Sequence, residues 1–219
     1  MANTINSTTD KALLRSLIDG SFTGVFEDDS LTSFHNTDNK MGNMPNLTKV
    51  ILPNIQELKS YDLFSGSTAL ETIFCQNVTY VNQYLYRSVP TPPKLVWVLP
   101  SLETANTETF RQGNFRALDI GEDFATSFHF RLICAYQATA APTAIILRMK
   151  QKATLTGTET GSNVHLSGTV IYVPSDLVSS YEADTTWASM KTSHGFTFAA
   201  IEGSEYEHYY ADGTPIPTT

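Results

Sequence analysis

Cysteine is nearly absent from this chain. There are two in 219 residues, Cys75 and Cys134. Two cysteines do not make the multi-bridge framework of a small secreted domain. Cys75 is expected as a buried thiol at an inward position, with a bridge to Cys134 left open. Basic charge is also scarce, with 14 Lys and Arg against 22 Asp and Glu and a net charge of −8. The basic residues are scattered, so no groove would displace counterions from a phosphate backbone, and a nucleic-acid partner is excluded. No apolar run is long enough to span a bilayer, so no membrane insertion is expected. No basic-then-apolar leader opens the chain, so it is expected to be made and folded in a cytoplasm. With 41% apolar and 11% aromatic residues, general disorder is excluded.

Catalytic and metal signatures are missing as well. The histidines are His35, His129, His165, His194 and His208. None pairs with another or with a cysteine at metal-ligand spacing, so no metal and no cofactor is expected. Glu27-Asp28-Asp29-Ser30 and Glu122-Asp123 lack the alternating oxygen ligands and glycine of a calcium loop and read as solvated faces. There is no Gly-x-Ser-x-Gly elbow and no phosphate-cradling glycine loop. The chain is therefore expected not to be an enzyme. A carboxylate pair that meets only in three dimensions is the remaining hydrolytic alternative.

What is present is a repeat. Leu47-Thr48-Lys49-Val50-Ile51-Leu52-Pro53-Asn54-Ile55 returns as Leu70-Glu71-Thr72-Ile73-Phe74-Cys75-Gln76-Asn77-Val78. It returns again as Lys94-Leu95-Val96-Trp97-Val98-Leu99-Pro100-Ser101-Leu102, the copies starting 23 and then 24 residues apart. A period of this length predicts stacked supersecondary units. Within each copy, period-two alternation sends Val50 and Leu52, Ile73 and Cys75, and Trp97 and Leu99 to one side. Pro53 and Pro100 end their strands at the same corner. A fourth strand is expected around Leu118 and Ile120 and a fifth over 144–148. Residues 154–168, rich in Thr, Gly and Ser, read as a loop.

The ends differ in style. Asp10 to Gly20 predicts a short amphipathic helix with Leu13, Leu14, Leu17 and Ile18 on one face. That face either caps the first repeat or docks into a partner. Val170-Ile171-Tyr172-Val173-Pro174 predicts a strand stopped by proline. A helix over 175–183, capped by Ser175, follows it, with Trp187 packed beyond. The segment after 200 is acidic and tyrosine-rich, with Tyr206, Tyr209 and Tyr210.

The pattern Leu-x-x-Val-x-Leu-Pro-x-Ile, closed by the strand, proline, helix and Trp187, resembles the BspA-type leucine-rich repeat, over roughly residues 22 to 190. The resemblance implies a repeat solenoid, β-rich with short helices, with an N-terminal helical cap and a C-terminal strand-helix cap. On this basis the chain divides into an arm and docking helix (1–21), the solenoid (22–168), the cap (169–200) and the acidic tail (201–219). Members of that family are seldom enzymes. They occur as bacterial surface adhesins and as structural proteins of bacteriophage virions, and a short array opening with a helix is more similar to the phage type.

The resemblance implies a non-enzymatic structural or assembly protein of a virion, associated with capsid, baseplate or tail. Its partners would be other virion proteins and copies of itself. The alternative is a host-surface or carbohydrate-binding adhesin, on a virion or on a bacterial cell surface, with a host protein or glycan as partner. Candidate contact residues are the helix face Leu13, Leu14, Leu17 and Ile18, and Tyr206, Tyr209 and Tyr210 of the tail. Tyr80, Tyr84 and Tyr86 add an aromatic surface. The outward strand positions Ile51, Phe74 and Val98, followed by Asp119, form an apolar row. That row is either an interaction stripe or is covered by another part of the chain.

Overall fold

The computed structural model describes residues 24–27, 44, 46–59, 64, 66–82, 94–110, 114–134, 136–159 and 161–208. In chain order the strands are β1 (Gly24–Glu27), β2 (Leu47–Ile51), β3 (Glu57–Leu58), β4 (Thr72–Phe74), β5 (Tyr80–Val81), β6 (Val96–Leu99) and β7 (Thr104–Ala105). They continue with β8 (Ala117–Ile120), β9 (Ser127–His129), β10 (Ala144–Leu147), β11 (Thr154–Gly157), β12 (Val170–Val173) and β13 (Thr197–Ala200). Helices α1 (Val178–Ala183) and α2 (Thr185–His194) lie between the last two strands.

An eight-stranded sheet, ordered β1-β2-β4-β6-β8-β10-β12-β13, organises the molecule. Every pairing in it is parallel. Smaller parallel sheets are formed by β3-β5-β7 and by β9 with β11. The repeat spacing appears as register: Val50 pairs with Ile73, Ile73 with Trp97, and Trp97 with Leu118. These residues and their neighbours two positions on point into one apolar core. Edge-to-face contacts run through it from Phe64 to Trp97 to Phe110 to Phe115, with ring centroids 5.8, 5.5 and 5.8 Å apart. Cys75 and Cys134 are both free and buried, and burial pushes the Cys134 thiol up to about 12.

The expected leucine-rich-repeat-like solenoid is corrected by this topology. The chain forms a mostly parallel α/β sheet fold with few helices, built on the eight-stranded sheet. The repeat alternation specified one inward face per strand and left the cover of the outward face open. In the structure β6, β8 and β10 are buried at every position. Strands buried on both sides carry continuous apolar runs, as parallel sheets covered on both faces do. A second cluster made of Phe74, Val96, Val98, Ala117, Ala144 and Ile146 lies on the opposite face, together with Ile201 and Tyr206. The passage from β12 through α1 and α2 to β13 is a strand-helix-strand crossover that returns parallel within the same sheet.

Two local expectations also change. Residues 154–157 form β11 rather than loop, because they pair with β9. Ser175 does not cap α1, whose first turn has no side-chain cap; the Ser175 amide donates to Glu202 Oε2 at 2.8 Å. The capped helix is α2. Asp184 Oδ1 accepts from the amides of Thr186 and Trp187 at 2.9 and 3.1 Å, satisfying two of the open donors of the first turn. Gly195, at φ 72°, ends α2 in the left-handed conformation that glycine adopts most easily.

Candidate functional site

The row Ile51, Phe74 and Val98 exists as neighbouring register positions. Phe74 and Val98 are 3% and 1% exposed, and Ile51 is half-buried. The row belongs to the cluster that includes Ile201 and Tyr206, so part of the chain's own C-terminal segment covers part of this face. Tyr206 is 4% exposed, with its ring centroid 4.8 Å from that of Tyr172. These positions are therefore core, not free contact surface.

Asp119 continues the row between Val98 and Ile146. A carboxylate at 1% exposure among apolar neighbours needs a partner. Arg148, just past β10, supplies it through Nε to Oδ1 and Nη2 to Oδ2, both 2.8 Å. Burial pulls the Asp119 carboxyl above its usual range, while the Arg148 guanidinium opposes that pull. The remaining donors of Arg148 reach the C-terminal segment. Nη2 donates to the Tyr206 carbonyl at 2.6 Å and Nη1 to the Glu207 carbonyl at 3.2 Å. One guanidinium thus ties the segment after β13 to the sheet it covers.

A cavity of about 410 Å³ lies on another part of the molecule. Its walls are the loop before β10, the turn before β12 and the last turn of α2, with Thr139, Ser162, His165, Ser167, Ser193 and His194 among the lining residues. The first wall hangs on Asn114, which is 3% exposed. Asn114 Oδ1 accepts from the amides of Thr139 and Ala140 at 2.9 and 3.1 Å, and its Nδ2 donates to Thr139 Oγ1 at 2.8 Å. Gln137, at φ 62°, is the described non-glycine residue in the left-handed region, and its amide donates to the Asn163 carbonyl at 2.7 Å. That bond ties the first wall to the second.

The helical wall is held by His194, whose Nε2 lies 2.5 Å from the Glu159 carbonyl oxygen. A carbonyl only accepts, so Nε2 carries the hydrogen, and in the neutral ring Nδ1 is the acceptor. The ring stacks on Phe130 at 5.6 Å. Glu159 is in turn fixed by Arg131, from Nε at 2.5 Å and from Nη2 at 3.1 Å. The Arg131 hydrogen bond is the main cause holding the Glu159 carboxyl below its usual range. Arg131 also lies over the Tyr136 ring at 4.5 Å and 3.6 Å from Glu108.

Sequence reasoning missed both features. For the ion pair a signal existed: a lone acid inside Ala117-Leu118-Asp119-Ile120 and a lone base closing Ala144-Ile145-Ile146-Leu147-Arg148. For the cavity the signal is weak: a Thr-, Ser- and Gly-rich segment over 154–168 that reads as a loop. Of the other expected contact residues, Tyr80 is half-buried, with the Lys59 ammonium 6.0 Å from its ring centre. Leu13, Leu14, Leu17, Ile18, Tyr84, Tyr86, Tyr209 and Tyr210 lie outside the described residues. Among the described residues, no group of three or more His, Cys, Asp or Glu side chains is arranged to hold a metal ion. No described helix is long and apolar enough to cross a membrane. Compared with family models, curated proteins and solved structures, the chain matches none of them.

Proposed function

We propose that this protein is a non-enzymatic structural and assembly component of a bacteriophage virion, making protein–protein contacts within the capsid, baseplate or tail and with copies of itself. The observation that supports a structural role is the partial cover of the sheet's second face by a segment tied down through Arg148, with β6, β8 and β10 buried at every position. A parallel sheet covered on both sides is stiff and keeps its shape, which a particle component requires. Several charged side chains are likewise spent on holding segments together. Arg131 pairs with Glu159, Lys152 with Asp184 and Lys191 with Glu182. The virion assignment draws on the repeat pattern and the strand-proline-helix-Trp ending of the sequence.

Mass spectrometry of purified particles, followed by particle imaging, tests the proposal. The chain is expected at a fixed stoichiometry and at a defined place on the particle. Recovery only as a free monomer in the lysate, with none in particles, would overturn it.

A further inference from the structure

We propose that the cavity between the loop before β10, the turn before β12 and the end of α2 binds a neutral saccharide residue. The lining hydroxyls of Ser162, Ser167 and Ser193 can each donate one hydrogen bond and accept two, and Thr139 Oγ1, which already accepts from Asn114 Nδ2, keeps its donor and one acceptor position. The imidazoles of His165 and His194 add a donor or acceptor each. Among the described residues, none that lines the cavity is an Asp, Glu, Lys or Arg. A charged ligand would lose hydration with no fixed countercharge to replace it. The cavity also lies at the C-terminal end of α2, where the helix dipole disfavours anions. An apolar ligand would leave the hydroxyls without partners. A sugar fits both constraints, because its own hydroxyls donate and accept around the ring while its C–H surface can rest on alkyl groups such as Ala140 and Ala141.

Size and rigidity agree with that chemistry. At about 410 Å³ the cavity is at the small end of the ~300–1,000 Å³ range of small-molecule sites. That suits a sugar unit better than a nucleotide or a lipid tail. The walls are organised in advance. Asn114 holds Thr139, the Arg131–Glu159 pair holds the segment just past β11 whose Glu159 carbonyl orients His194, and Gln137 is kept in a left-handed conformation beside them. Strain of this kind is stored where geometry serves a ligand, and walls set beforehand lower the entropy lost on binding. The site does not rest on the virion assignment, and the two fail separately: one by particle composition, the other by sugar titration.

The test is ligand-observed and protein-observed NMR on the full chain. The probes are glucose, galactose, N-acetylglucosamine, rhamnose and their methyl glycosides, with inorganic phosphate as the charged comparison. At least one neutral sugar is expected to bind in the millimolar range and to shift amides of 139–141, 161–167 and 193–194. A methyl glycoside preferred over its free sugar would indicate the end of a glycan chain, and the reverse a free sugar; both support the site. Ser162→Leu and Ser193→Leu, at exposed positions that leave the fold intact by circular dichroism, should weaken binding about tenfold or more by filling the space. The proposal is overturned if no sugar shifts these amides, if phosphate alone does, or if both variants bind like the native chain.

Discussion

Arg148 and Asp119 face each other across neighbouring strands through two hydrogen bonds of 2.8 Å each, with side chains only 9% and 1% exposed. A desolvated pair adds little when intact, yet removing one partner leaves a buried charge. Arg148→Met should therefore lower stability by about 3–5 kcal/mol in urea unfolding. Asp119→Leu combined with Arg148→Met should lose much less than the sum of the single variants. Hydrogen exchange at the Ile201 amide, which bonds the Val173 carbonyl at 2.9 Å, should rise in the single Arg148 variant. Purely additive losses would show that the two side chains do not act as a unit.

Gly121 occupies the corner that Pro53 and Pro100 occupy in earlier copies. A Cβ built there would sit 1.5 Å from the Pro100 carbonyl oxygen, a backbone atom that does not swing aside. Gly121→Ala should cost about 1–3 kcal/mol, or more if the strand ends separate. Thermal unfolding of the variant measures this, and an unchanged midpoint would contradict the close stacking of β6 and β8.

Thr72 is fully buried, and its Oγ1 has no hydrogen-bond partner among the described residues. Valine keeps the branched shape and removes the unsatisfied hydroxyl. Thr72→Val is expected to raise stability by about 1 kcal/mol, whereas most core polar substitutions do the reverse. A loss of stability in denaturant titration would mean that the hydroxyl is satisfied in solution.

Asp184 links Lys152 to the start of α2. The Lys152 hydrogen bond is the main cause lowering its carboxyl below the ordinary 3.8, with the Trp187 and Thr186 amides adding to it and burial opposing. A carboxyl with a depressed folded value binds fewer protons in the folded state. Its contribution is complete above the unfolded value and fades as pH falls through the folded one. Fluorescence of the buried Trp187 should stay constant from neutral pH down to about 4 and change below it. Asp184→Asn should flatten that acid limb, and a limb of equal size in the variant would assign it to another carboxylate.

Much of the strand layout was legible. The spacing of Leu47, Leu70 and Lys94 sets the register in which Val50, Ile73 and Trp97 pair. The run Val170 to Pro174, with Trp187 after it, marks the crossover strand and a buried anchor whose Nε1 donates to the Ala153 carbonyl at 2.8 Å. Period-two alternation was a poorer guide to the number of covered faces. It distinguishes inside from outside only where one face meets water. Val96-Trp97-Val98-Leu99 has no such alternation, and its continuous apolar run was the available sign that both faces are covered.

By itself the sequence determined the repeat strands β2, β4, β6, β8 and β10 and the later β12, how consecutive repeats align, and which side of each repeat strand enters the main core. Those properties are local or periodic, so they are written in neighbouring residues. Only the tertiary structure decided that the C-terminal segment covers part of the outward face, because the tie joins Arg148 to a carbonyl 58 positions away. It also decided that residues near 139, 162 and 193 share one cavity. Small polar side chains in separate turns carry no period, and they meet only when the strands between them have stacked.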